Sequence, residues 1–182
     1  MTFVRRLLLI AVLAAAAVLL AGAASARTTA SCSAAGLSAN LPAQQLPAKV
    51  ASVRTRIAKA AVACDYAALQ RIAYEKDSFS FSFGNEKSPT AYWKQQEARG
   101  GRPLARLVKI LGLPVTHNEA GAFAWPSAYT SHPTAKDWNA LVRAGVYTRA
   151  EVSRMRRGGN VYYGYRTAIT KTGDWQFFVA GD

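Results

Sequence analysis

His117 and His132 are the only histidines in the 182-residue chain, and a search for chemistry starts with them. Neither has a second ligand at zinc spacing, and no HExxH or CxxC pattern occurs. Each lies beside turn residues and reads as a loop side chain. The Gly-x-Ser-x-Gly elbow of a hydrolase nucleophile is absent. The serines of Phe79-Ser80-Phe81-Ser82-Phe83-Gly84 alternate with phenylalanines, so they read as the polar face of a strand. Arg99-Gly100-Gly101-Arg102 and Arg157-Gly158-Gly159-Asn160 read as helix stops rather than phosphate cradles. Among the acids, Asp65, Asp137 and Glu151 fall at helix-cap positions, Asp174 belongs to a turn and Asp182 is terminal. Few carboxylates remain for paired acid and base work on a glycosidic bond. The residues therefore assign no catalytic group, no metal site and no cofactor.

Binding has better material. The chain carries 23 Lys and Arg against 10 Asp and Glu, a formal net charge of +13. Such an imbalance bears on partners and association rates rather than on fold. On a helical wheel Arg149, Arg154, Arg156 and Arg157 spread over half the circumference, opposite Val152 and Met155. A basic amphipathic helix of this kind suits an anionic envelope polymer, lipid head groups or a small anionic ligand. A second candidate lies near the end of the chain. There Arg166 is expected opposite Phe178, with Gly164 and Ala180 leaving room beside them, so that a guanidinium over a ring would face a ligand or a helix.

The elements that must position these residues begin beyond an export signal. Arg5 and Arg6 precede unbroken apolar sequence from Leu7 to Leu20, and Ala24-Ser25-Ala26 supplies small residues for cleavage before Arg27. Residues 1–26 are thus expected to be a signal peptide, with an uncleaved anchor as the rival reading. Nucleic acid is then an improbable partner, and the protein is expected to be secreted, periplasmic or held in the envelope. Cys32 and Cys64 are the only cysteines and should pair in an oxidising compartment. Lipidation of Cys32 is the alternative, but Thr29-Ala30-Ser31 lacks the expected large aliphatic residue.

An arm over 27–46 should lead into one domain over 47–182. Val50, Val53, Ile57, Ala60, Ala61 and Cys64 recur at helical spacing, and Asp65 caps a second helix to Ala73. Ser88-Pro89 starts a third helix and Arg102-Pro103 a fourth. Thr134 with Asp137 and Thr148 with Glu151 are capping boxes for two more. A strand is expected over Phe79–Gly84 and another near Ala122–Trp125. The four tryptophans read as core, with Trp125-Pro126 nearest a rim. The last element is a hairpin across Lys171-Thr172-Gly173. Its expected register pairs Ile169 with Trp175, Thr167 with Phe177 and Tyr165 with Val179 on one face. The other face pairs Ala168 with Gln176, Arg166 with Phe178 and Gly164 with Ala180.

Val62-Ala63-Cys64-Asp65-Tyr66 through Ala73, followed by the Phe-Ser alternation, resembles the opening of domains in the nuclear-transport-factor-2-like superfamily. Tyr162 to Asp182 resembles that superfamily's closing strands and the ends of small secreted bacterial proteins. The resemblance implies a bent antiparallel sheet wrapped by helices around a pocket, and it carries no functional residue. The mainly helical stretch from Asn85 to Asn160 departs from the pattern. Together these observations predict an α+β fold, helix-rich, with a small antiparallel sheet ending in a C-terminal β-hairpin. The expected function is non-catalytic binding of an anionic surface or small ligand. The alternatives are a nuclear-transport-factor-2-like enzyme or polysaccharide hydrolase using an unpaired acid or histidine, and a structural or partner-binding envelope protein.

Overall fold

Four of the six helices that the computed structural model describes start at a side chain that satisfies an otherwise unbonded N–H group, each at the residue the sequence marks. The structure describes residues 31–76, 79–84 and 86–181; the expected signal segment, 1–26, lies outside these residues. α1 (Ala48–Val62) starts after Pro47 without a side-chain cap. α2 (Tyr66–Ala73) follows Asp65, whose carboxylate accepts from the Ala68 N–H. α3 (Pro89–Ala98) is capped by Ser88, and α4 (Pro103–Leu111) opens directly on Pro103. β1 (Thr116–His117) and β2 (Phe123–Trp125) come next. Then α5 (Ala135–Arg143) and α6 (Arg149–Arg157) each begin with a complete capping box. β3 (Arg166–Ile169) and β4 (Trp175–Val179) form the closing hairpin.

The four strands form one antiparallel sheet in the order β1-β2-β3-β4. With six helices among the described residues, this is the expected helix-rich α+β fold. Its inner face, carrying Trp125, Ile169, Trp175 and Phe178, meets α1, α2, α3 and α4 in the main core. A smaller cluster on the outer face consists of Ala122, Ala124 and Ala168 under Tyr129 and Phe177. Trp125, expected at a rim, is fully buried because its indole N–H reaches Gln44 of the N-terminal arm.

The arm is packed rather than loose. Ala34 is fully buried, and Glu97 accepts from the Ser33 N–H and hydroxyl. Cys32 and Cys64 form the expected disulfide, with Cα atoms 5.7 Å apart. Cys64 has φ of 52°, the left-handed turn by which α1 ends and the chain reverses into α2. On the buried face of α1, Arg54 donates to the carbonyls of Leu111 at 2.7 and 2.9 Å and of Pro42 at 3.1 Å. It thereby satisfies the C-terminal end of α4. Burial pulls its pKa down from the ordinary arginine value.

Two expectations about strands need correction. The Phe-Ser alternation forms a single parallel bridge, Ser80 with Phe177, while Phe83 lies largely exposed. Phe79 and Phe81 do share a side and pack on the core. The hairpin register also shifts. Ile169 faces Trp175 as expected, but Ala168 faces Phe177, Thr167 faces Phe178 and Arg166 faces Val179. The extra residue is Gln176, a bulge that turns every later β4 side chain by one position. Ser80 meets β4 at this bulge, donating its N–H to Gln176 and accepting from Phe178.

Candidate anion-binding surface

The register shift separates Arg166 from Phe178. Phe178 is buried on the inner face, with ring centroids 5.8 Å from Trp93 and 5.3 Å from Tyr165. Arg166 is on the outer face, its guanidinium 5.3 Å from the Tyr129 ring and donating to the Gly164 carbonyl at 3.3 Å. The space expected beside Gly164 is filled by two phenols. A Cβ there would come within 2.6 Å of the Tyr147 hydroxyl and 2.7 Å of the Tyr162 ring. Tyr147 accepts from the Tyr165 N–H and Tyr162 donates to the Tyr165 carbonyl, both at 2.6 Å. Burial raises the pKa of Tyr147, and that of Tyr162 well above the ordinary value. Gly164 is thus a close-packing position, and Arg166, Phe178 and Gly164 do not form a ligand face together.

The arginines of α6 are placed as expected. Val152 and Met155 are buried, while Arg149, Arg154, Arg156 and Arg157 are exposed. Thr148 and Glu151 hold the start of the helix, the Glu151 carboxylate accepting from the Thr148 N–H at 2.6 Å and from its hydroxyl at 2.8 Å. These bonds, helped by Arg106, keep the Glu151 pKa below the usual carboxylate value. Arg154, Arg156 and Arg157 crowd the last turn, where the carbonyl end of the helix favours positive charge. Past Gly158 and Gly159, Asn160 accepts from the Trp138 indole at 2.9 Å and donates to the Pro133 carbonyl at 3.2 Å. That link fixes the end of α6 over the start of α5. Between the two lies a cleft of about 450 Å³ lined by Pro133, Ala135, Trp138, Ser153, Arg156, Arg157 and Asn160. No acid is among the lining residues.

A cleft of about 300 Å³ occupies the opposite flank of α6, against α4. Arg102, Arg106 and Lys109 recur at helical spacing and line it with Thr148 and Glu151. Sequence reasoning missed this group, although its spacing was visible. Arg106 lies 5.1 Å from the Tyr147 ring and 5.2 Å from the Tyr165 ring, with Glu151 3.9 Å away. Lys109 donates to the Gly145 carbonyl at 2.8 Å. Arg102 is exposed and has a left-handed φ of 55°.

The acids explain why so much positive charge is left over. Asp65, Asp137 and Glu151 cap helices, and Glu75 pairs with Arg56. Glu86 holds Ser82, Glu97 holds Ser33 and Asp174 holds Thr172. Among the described residues, Glu119 is the one carboxylate with no such partner, and two ion pairs form in all. Glu119 and His117 are exposed at a cleft of about 570 Å³ with Tyr129 and Tyr162. His132 is exposed too and bonds Ser131. Among the described residues no group of three His, Cys, Asp or Glu could hold a metal, and no helix is long and apolar enough to cross a membrane. No family model, curated protein or solved structure matches the chain.

Proposed function

We propose that the protein is exported and acts without catalysis, as a binding module for an anionic partner at the cell envelope or outside the cell. One observation carries this reading: among the described residues every acid but Glu119 is held in a cap, an ion pair or a hydrogen bond, while Arg149, Arg154 and Arg156 of α6 have no hydrogen-bond or ion-pair partner. An arginine fork matches a phosphate, sulfate or carboxylate group with two donors at once. Its charge also draws such groups from a distance, an effect that salt weakens. Arg154, Arg156 and Arg157 are the main contacts. The disulfide agrees with an oxidising compartment.

The test is retention of purified protein on a phosphorylated matrix against a neutral one, over a range of NaCl concentrations. Arg154→Gln, Arg156→Gln and Arg157→Gln combined should weaken retention by at least about tenfold at low salt and flatten its salt dependence. The three side chains are exposed, so the circular dichroism spectrum should stay that of the wild type. Retention unchanged by the triple substitution would overturn the role given to α6.

A further inference from the structure

Two basic clefts flank one helix, and the ridge between them is basic too. Val152 and Met155 face inward; around the rest of α6 the order is Arg156, Arg149, Arg157, Arg154 and then Glu151, which abuts Arg106. Arg156 and Arg157 line the cleft against α5, and Arg102 and Lys109 the cleft against α4. The only acid on this path is Glu151, already held by Thr148. A single small anion would occupy one cleft and leave the ridge unused. A bilayer fits poorly as well, because an interfacial helix must turn an apolar face to the lipid and that of α6 is buried in the core.

We infer that the ligand is a linear polymer bearing an oxyanion on successive units, and that it crosses α6 to occupy both clefts at once. This rests on the anion-binding reading above and adds the shape of the partner. Half the circumference of a helix is about 17 Å, and because Glu151 lies near the start of α6 and Arg157 at its end, a chain crossing the ridge must be at least that long. Once one cleft is filled, binding in the other is intramolecular, so affinity should climb with chain length until both are reached and then level off.

Linear polyphosphate in graded lengths is the probe, with purified protein and titration calorimetry as the readout. Polymer long enough to cross the ridge should bind more tightly than tripolyphosphate by at least about tenfold. Arg102→Gln with Lys109→Gln should remove most of that length advantage while leaving tripolyphosphate affinity within about threefold, because the cleft against α5 survives, whereas Arg156→Gln with Arg157→Gln should weaken both probes and the long polymer more. Arg106 is left intact because it packs on Tyr147 and Tyr165. Affinity independent of length, or an α4 pair that changes nothing, overturns the two-cleft arrangement while leaving anion binding by α6 standing. Tighter binding to phosphatidylglycerol vesicles than to long polyphosphate overturns the polymer in favour of a membrane. Absence of binding to either probe defeats the anion-binding reading itself.

Discussion

Phe178 and Arg166 were legible as unusual residues, but the expectation that they face each other failed, because their facing depends on one backbone bulge at Gln176. A two-residue alternation propagates a single insertion to every later side chain. Nothing local in Trp175-Gln176-Phe177-Phe178 marks the insertion; the Ser80 bridge that meets it lies nearly a hundred residues upstream. Arg54 was obscure for a related reason. It falls among Val50, Val53 and Ile57 at helical spacing, but its carbonyl partner Leu111 comes from a distant helix. The arrangement around Phe178 makes a definite expectation. Its ring is almost fully buried among Trp93 and Tyr165, so Phe178→Ala should cost about 3–5 kcal/mol in urea unfolding, as other large core truncations do. The protein that remains folded should bind polyphosphate as before. A small loss of stability with a large loss of binding would return Phe178 to the ligand.

Helices proved more legible than strands because their ends are specified by residues three apart in sequence. Asp65, Ser88, Thr134 and Thr148 each accept from the backbone of a neighbouring turn, and no distant element is needed to place them. β2 falls where a strand was expected near Ala122–Trp125, but β1 has two residues, too short for any alternation to register. The expected Phe79–Gly84 strand fell to one bridge because β4 offers it only the bulged segment. α1 ties distant parts of the chain together. It packs along α4, receives the arm through Cys32 and anchors α4 through Arg54. Its disulfide closes a separation of 32 residues, and on the chain-entropy account such a loop stabilises the fold by about 3–4 kcal/mol. Cys32→Ser with Cys64→Ser should therefore lower the melting temperature by about 10 °C, read by circular dichroism. A loss of only a degree or two would mean that Ser33, Ala34 and Glu97 hold the arm without the bond.

Across the protein as a whole, a formal charge of +13 with two ion pairs among the described residues leaves the folded state repelling itself. Compactness brings the arginines of α4 and α6 closer together than an unfolded chain would keep them, so their repulsion opposes folding. The charge that suits a polyanion is for that reason a cost to stability, and added salt should separate the two effects. Raising NaCl from about 10 mM to 150 mM shortens the screening length from about 30 Å to 8 Å, which relieves repulsion between neighbouring cations. The melting temperature of the free protein should rise over that range while its affinity for long polyphosphate falls. Polyphosphate at low salt should raise the melting temperature too, since a ligand that binds only the folded state stabilises it by mass action. Differential scanning fluorimetry with and without the polymer reads both curves in one experiment. The polymer's stabilising effect should shrink as NaCl increases, bringing the curves together at high salt. Parallel curves would mean that contacts other than charge hold the ligand. A free protein that melts earlier as NaCl rises would show that attraction, such as Arg56 with Glu75 and Arg106 with Glu151, outweighs the repulsion.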